Sequence, residues 1–272
     1  MSNQGGFIDT NGARIYYEVE GDGSPLLLIH GGLGSLRMWD GVVPARVDRH
    51  RVIRYDTRGF GQTETEDVEF SNRADAVAVL DHLGVDSTVA VGQSRGGSIA
   101  LDLAIEQPRR VTALVSVAGG VGGHEGELPE GTESPPWDEL ERLEEAHDWD
   151  SLAELETRIW VDGWGQPMTR LDQALRSRVH DWILSTYEAE KPEGRPRPLQ
   201  PPAVERLGEV QIPVLVMLGT ADEPGGILSS RHLAGTAPGA RLVEFENVAH
   251  MIQLEQPDRF NRELAAFLDE VT

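Results

Sequence analysis

Val89-Ala-Val-Gly-Gln-Ser-Arg-Gly-Gly97 is the stretch on which the reading of this chain turns. A short apolar, β-branched run ends in Gly92-Gln-Ser-Arg-Gly96, and a helix-forming segment, Ser98 to Glu106, follows at once. The pattern predicts a strand, a tight turn and a helix, with one hydroxyl at the apex. Glycine at 92 and 96 removes the side chains that collide where a strand doubles back into a helix. Ser94 between them is forced into a strained, exposed backbone position. In a chain with 30 glycines, a Gly-x-Ser-x-Gly is weak evidence alone, so its surroundings must carry it.

On both sides of this stretch, short apolar runs alternate with helical patterns. Residues 7–20 alternate around Asn11-Gly12 as a hairpin does. Pro25-Leu-Leu-Leu-Ile-His30 reads as a strand covered on both faces and ends in Gly31-Gly-Leu-Gly34. Met38, Trp39, Val42 and Val43 mark a helical segment, and Arg51–Tyr55 is the next strand. It runs into Asp56-Thr-Arg-Gly-Phe-Gly61, an architectural turn whose Arg58 ties neighbouring loops. Asn72 caps a helix that Gly84 stops, and Val111–Val117 is a further buried strand.

The composition changes at Gly119, where glycines and prolines lead into the acidic run Glu125–Asp150, a solvated face. Ser151-Leu-Ala-Glu154 is a capping box opening a helix through Ile159. Leu171, Leu175, Val179, Trp182 and Ile183 mark another helix, and a proline-rich connector, Lys191 to Pro202, closes the excursion. The strand–helix rhythm then resumes. Val214–Leu218 ends in Gly219-Thr-Ala-Asp222, Arg241–Phe245 runs into Asn247-Val-Ala-His250, and Pro257 opens a last helix. The alternation predicts a doubly wound, mostly parallel sheet. Its core comprises residues 1–119 and 206–272, with 120–205 a helical insertion over one end. Such sheets bind ligands at the carboxyl ends of their strands. His30-Gly31-Gly32, Ser94, Asp222 and His250 all fall there.

Composition narrows the chemistry. A net charge of −22 removes the basic footprint that nucleic acid and anionic membranes require. No run approaches the ~20 apolar residues of a membrane span. The first residues carry no basic, apolar leader, which with the absence of cysteine points to the cytoplasm. Without cysteine there is no thiolate metal site or thiol nucleophile, and no cofactor or metal motif stands out.

A serine hydroxyl becomes a nucleophile only when a base takes its proton, and histidine suits that role near neutral pH. The histidine needs a carboxylate to fix its tautomer, and the oxyanion needs backbone N–H donors. Ser94, Asp222 and His250 supply the first three in the order Ser…Asp…His. Glu223 is one residue from the preferred acid. Of the other histidines, His30 fits the turn rather than the base, and His50, His82, His147 and His180 read as surface residues. His124 and His232 stay open.

The chain resembles the α/β-hydrolase fold family over essentially its whole length. The resemblance rests on His30-Gly-Gly-Leu-Gly34 with Trp39, on Asp56-Thr-Arg-Gly-Phe-Gly61 and on Gly92-Gln-Ser-Arg-Gly-Gly97. Gly219-Thr-Ala-Asp222, Asn247-Val-Ala-His250 and Pro257-Asp-Arg-Phe260 complete it. It implies an eight-stranded sheet with 120–205 as a helical cap. It also implies Ser94 as nucleophile, Asp222 as acid, His250 as base, and the backbone N–H groups of Gly32 and Arg95 as the oxyanion hole. Leu33, Gln93, Trp160 and Trp164, the two tryptophans at i and i+4, are assigned to the substrate pocket.

Gln93 and Arg95 depart from the His and Met or Leu that often flank the serine in ester-cleaving members. Arg-Gly-Gly after the nucleophile resembles fluoroacetate dehalogenases and epoxide hydrolases, which carry Asp where this chain has Ser94. The expected activity is cofactor-free hydrolysis of a small carboxylic ester or lactone. The same residues also suit a carbon–carbon bond hydrolase or a cofactor-free perhydrolase (haloperoxidase), and the fold alone suits a non-catalytic small-ligand receptor.

Overall fold

Residues 4–272 are described by the structure, a computed structural model. Gly12, at φ 63°, turns β1 (Gln4–Thr10) into β2 (Ala13–Glu20) as an antiparallel hairpin. Then come β3 (Ser24–Ile29), β4 (His50–Tyr55), β5 (Thr88–Gln93), β6 (Val111–Val117), β7 (Val214–Gly219) and β8 (Arg241–Phe245). The eight lie in the order β1-β2-β4-β3-β5-β6-β7-β8, and only β2 runs against its neighbours. A ninth, two-residue strand at Glu64–Thr65 pairs with β2. From β3 the chain moves outward to β4, then returns to place β5 on β3's other side. That reversal opens a crevice between the carboxyl ends of β3 and β5.

The strands are apolar on both faces because helices cover both. On one face, Leu27, Ile29, Ala90 and Leu114 meet α1 (Asn72–His82) and α2 (Arg95–Glu106). Beyond β6 the chain forms α3 (Trp137–Glu145), α4 (Trp149–Glu156) and α5 (Gln173–Glu188) before β7. After β7 come α6 (Pro224–Thr236), whose Leu233 joins the first face, the single turn α7 (Ile252–Glu255), and α8 (Pro257–Val271). Leu26, Leu28, Val89, Val91 and Val115 form the second face. Phe260, Leu264, Phe267 and Leu268 of α8, spaced for one helical stripe, cover it. Each such burial is worth about 1.5–3 kcal/mol. A third cluster joins the segment between β6 and β7 to the sheet: Ala153, Val161, Val179 and Ile183 pack with Met38 and Met251, and Leu33 lies against them.

Local signals differ from expectation in three places. Ser71, not Asn72, caps α1 by accepting from the Ala74 N–H. Asp148 caps α4 by accepting from the Ser151 N–H, so the expected capping serine sits inside the first turn. His50 is buried, because it opens β4 beside β3 and meets the Ser24 hydroxyl at 3.0 Å. His82 and His147 are exposed and His180 is half-buried. No helix among the described residues is long and apolar enough to cross a membrane.

Candidate active site

Ser94 follows β5 directly, with φ 53° and ψ −121°, and α2 begins at the next residue. That conformation costs a non-glycine residue about 1–3 kcal/mol and persists only where the surroundings enforce it. Here they do. A Cβ on Gly92 would lie 2.1 Å from the Gly96 carbonyl oxygen, and one on Gly96 would lie 2.2 Å from that of Ile29. The Ser94 N–H donates to the Val117 carbonyl of β6 at 2.8 Å, and its own carbonyl accepts from Gly97 at 2.8 Å. The hydroxyl therefore stands at the start of a helix, where the peptide dipoles favour negative charge.

The turn after β3 runs alongside. A Cβ on Gly31 would strike Gln93 Oε1 at 2.0 Å, whereas one on Gly32 would meet nothing within 4 Å, so Gly32 faces open space. His30 holds this turn. It is fully enclosed, its Nδ1 lies 2.6 Å from the Gly31 carbonyl, and its Nε2 accepts from the Thr57 N–H at 2.9 Å. Burial and the nearby Arg95 charge push the imidazole down to about 3, which keeps it neutral. Both nitrogens being engaged, His30 is structural.

Asp222 and His250 come from the loops after β7 and β8. His250 Nδ1 donates to Asp222 Oδ2 at 2.8 Å, and Asp222 Oδ1 accepts from the Glu223 N–H at 2.8 Å. Burial alone would lower the His250 pKa, but the Asp222 carboxylate, helped by Glu223 and Glu156, reverses this and leaves it raised. Glu223 caps α6, accepting from the Gly225 and Gly226 N–H groups, and so does not replace Asp222. Among the described residues no hydrogen bond joins Ser94 Oγ to His250. Such contacts are commonly long without substrate and tighten when it binds.

The pocket residues separate. Trp160 packs tilted against the His250 ring, centroids 4.6 Å apart, and its carbonyl accepts from the His250 N–H at 3.2 Å. Trp164 does not share that position. Residues 157–163 form a π-helix rather than an α-helix, and Gly163 at φ 87° ends it, so the expected i, i+4 stripe is broken. Gln93 is wholly buried, not on the cleft surface. Its Nε2 donates to the His250 carbonyl at 3.3 Å from behind. Leu33 borders the cluster containing Met251. The Arg95 side chain crosses the Phe60 ring at 4.3 Å, donates to Thr57 Oγ1 and stands 3.9 Å from Glu193. Arg58 pairs in bidentate fashion with Asp75 at 2.7 and 2.8 Å, tying the Asp56–Gly61 turn to α1.

Two features carry no sequence signal of their own. Arg170 donates to the carbonyls of Val161, Asp162 and Asn247 and pairs with Glu255, which in turn accepts from the Ala249 N–H at 2.9 Å. It thereby ties the loop bearing His250 to the π-helical segment. Glu156, at the end of α4, holds a carboxyl that burial raises to about 7, within reach of His250 and the Tyr187 hydroxyl. Among the described residues no three His, Asp or Glu side chains converge as metal ligands do. A cleft of about 430 Å³ opens over Gly32 and Phe60, walled by Trp149, Tyr187, Glu144 and Glu193.

A doubly wound sheet with a strained serine at its switch point, beside a histidine–carboxylate pair, defines a hydrolase. A profile of the alpha/beta hydrolase fold matches residues 24–257, and the chain belongs to that family. It is 30% identical to 2-hydroxymuconate semialdehyde hydrolase of Pseudomonas sp. strain CF600, covering 95% of this chain and 92% of that one. Rhodomycin D methylesterase DauP of Streptomyces sp. strain C5 is also 30% identical, with 85% and 86% covered. The chain spans 66% of a longer relative, the dihydrolipoyllysine-residue acetyltransferase component of the acetoin cleaving system of Cupriavidus necator. The two are 28% identical over 94% of this chain. Among solved structures, Est816, described as an N-acyl homoserine lactone degrading enzyme, superimposes with a TM-score of 0.74. It is 26% identical, with 96% of this chain and 99% of that one covered.

Proposed function

We propose that this chain is a serine hydrolase that cleaves a small carboxylic ester or lactone through an acyl-enzyme on Ser94, with 120–205 as its cap. The observation that carries the reading is the 2.8 Å Asp222–His250 pair beside a serine held at positive φ. Asp222 fixes the proton on Nδ1, which leaves Nε2 as the lone-pair nitrogen. In this reading His250 takes the Ser94 proton as the oxygen attacks the carbonyl. The N–H groups of Gly32 and Arg95 hold the oxyanion, the second at a helix start where no intrahelical acceptor competes. His250 then protonates the leaving alcohol and activates the water that frees the acid.

The likeness to a methylesterase and to a lactone-degrading enzyme supports the ester or lactone reading. Likeness to the semialdehyde hydrolase supports a second reading, in which the same residues cleave a carbon–carbon bond. A small-molecule substrate in the cytoplasm suits either. A fluorophosphonate probe is expected to label Ser94 stoichiometrically, and Ser94→Ala to abolish both labelling and ester turnover. Labelling that persists in Ser94→Ala overturns the assignment, and a diketone turned over faster than any ester or lactone selects the second reading.

A further inference from the structure

Glu156 raises the His250 pKa but touches no reacting atom in this reading, yet it occupies a costly position. One oxygen of its carboxyl, Oε2, is buried without a hydrogen-bond partner. A buried carboxyl without a partner carries its charge only at a cost of several kcal/mol, so it takes up a proton near neutral pH unless something pairs with it. The groups facing it are the Tyr187 hydroxyl, the His250 imidazole and the Glu144 carboxylate. Tyr187 and Glu144 also line the cleft over Gly32, so Glu156 lies behind the wall of the substrate's own cavity. Its backbone passes directly into the π-helix at 157–163, a distortion frequent at functional sites, which brings Trp160 onto His250.

The remaining charge in the cleft points the same way. Glu144, Glu190 and Glu193 line it, His147 is bound to Glu190 at 2.9 Å, and the Lys191 ammonium is turned onto the Gly61 carbonyl. An anionic group entering here meets carboxylates, whereas a donor that reaches past Tyr187 meets the unpaired Glu156 oxygen.

We propose that Glu156 is the specificity residue of this site, its carboxylate taking a hydroxyl or ammonium group carried by the substrate. Esters bearing such a donor are then favoured over apolar and anionic ones. This rests on the ester-hydrolase reading above. A hydrogen bond to a charged acceptor, converted to a rate ratio, is worth roughly ten- to a hundredfold.

The test uses four phenyl acetates substituted at the 4-position with ethyl, hydroxymethyl, aminomethyl or carboxylate, assayed with the wild type, Glu156→Leu and Glu156→Gln. The readout is the ratio of kcat/KM for each ester to that of the ethyl compound. In the wild type the hydroxymethyl and aminomethyl ratios are expected to exceed one and the carboxylate ratio to fall below it. Glu156→Leu lowers both donor ratios about tenfold or more. Glu156→Gln, which keeps the shape and an acceptor, lowers the aminomethyl ratio more than the hydroxymethyl one.

A uniform fall for all four esters, with the ratios kept, overturns the proposal and makes Glu156 a support for His250. Unchanged ratios and rates overturn it as well. A wild type that hydrolyses none of the four and resists fluorophosphonate labelling overturns the hydrolase reading together with it. Labelling and turnover without selectivity overturn the Glu156 proposal alone.

Discussion

Protonating His30 should unfasten the turn at Gly31–Gly34 and cost stability in a defined pH window. The imidazole is fully enclosed, and its Nε2 accepts the Thr57 N–H at 2.9 Å. A proton on that nitrogen sets two N–H groups against each other and adds a charge beside Arg95. Burial, with the Arg95 charge, moves the pKa from 6.5 down to about 3 in the fold. A depressed value means the unfolded chain takes up the proton first. The contribution is therefore complete above pH 6.5 and is lost as pH falls towards 3.

The slope reaches about 1.4 kcal/mol per pH unit, so about 2 kcal/mol is lost between pH 6.5 and 5. Buried carboxyls with raised values, among them Asp56, Asp75 and Asp102, act with the opposite sign. They cancel when a variant is compared with the wild type at each pH. Urea unfolding of the wild type and His30→Gln at pH 7.5, 6.5, 5.5 and 5.0 isolates the effect. The variant is less stable at pH 7.5, and the gap should narrow by about 2 kcal/mol at pH 5. A gap that stays level across the series refutes the reasoning.

Asp222→Asn removes the group that fixes the His250 tautomer, and ester kcat should fall by about four orders of magnitude. Fluorophosphonate labelling should slow in parallel, and unchanged labelling kinetics would speak against a base at His250. If His250 is the base as proposed, it acts when neutral, and because its pKa is raised by Asp222, Glu223 and Glu156, wild-type kcat/KM should rise with pH through a value above 6.5. A profile already level at pH 6.5 contradicts that. Arg170→Ala strands the buried Glu255 carboxylate, at an expected cost of about 3–5 kcal/mol in urea unfolding. Gly96→Ala drives a methyl onto the Ile29 carbonyl, and loss of soluble, labelled protein is expected, whereas normal labelling would disprove the close approach.

Most of the sheet was legible because its signals are local: apolar runs of strand length, several of them stopped by glycine, repeat along the chain. Asp222 and His250, 28 residues apart, were readable as partners because each lies just beyond a strand of one parallel sheet. The misreadings have physical causes. Its place beside Ser94 in sequence puts Gln93 in the pocket, yet as the last residue of β5 it points into the interior. Trp164 was grouped with Trp160 by α-helical spacing, and the π-helix changes that period. Arg170 and Glu156 were invisible because nothing in their own neighbourhoods distinguishes them from solvated charges. Their roles arise from contacts across the chain.

Those long-range contacts also bear on how the segment between β6 and β7 can move. One imidazole is held from four directions: Asp222 on Nδ1, Gln93 on its carbonyl, Trp160 on its N–H and ring face, and Arg170 through Glu255 on its loop. Two of these holders, Trp160 and Arg170, belong to that segment. Lifting residues 157–170 from the sheet would therefore release His250 from two of its four restraints and separate Ala153 and Val161 from Met38 and Met251. The segment between β6 and β7 therefore helps to hold His250 in place, through Trp160 and Arg170.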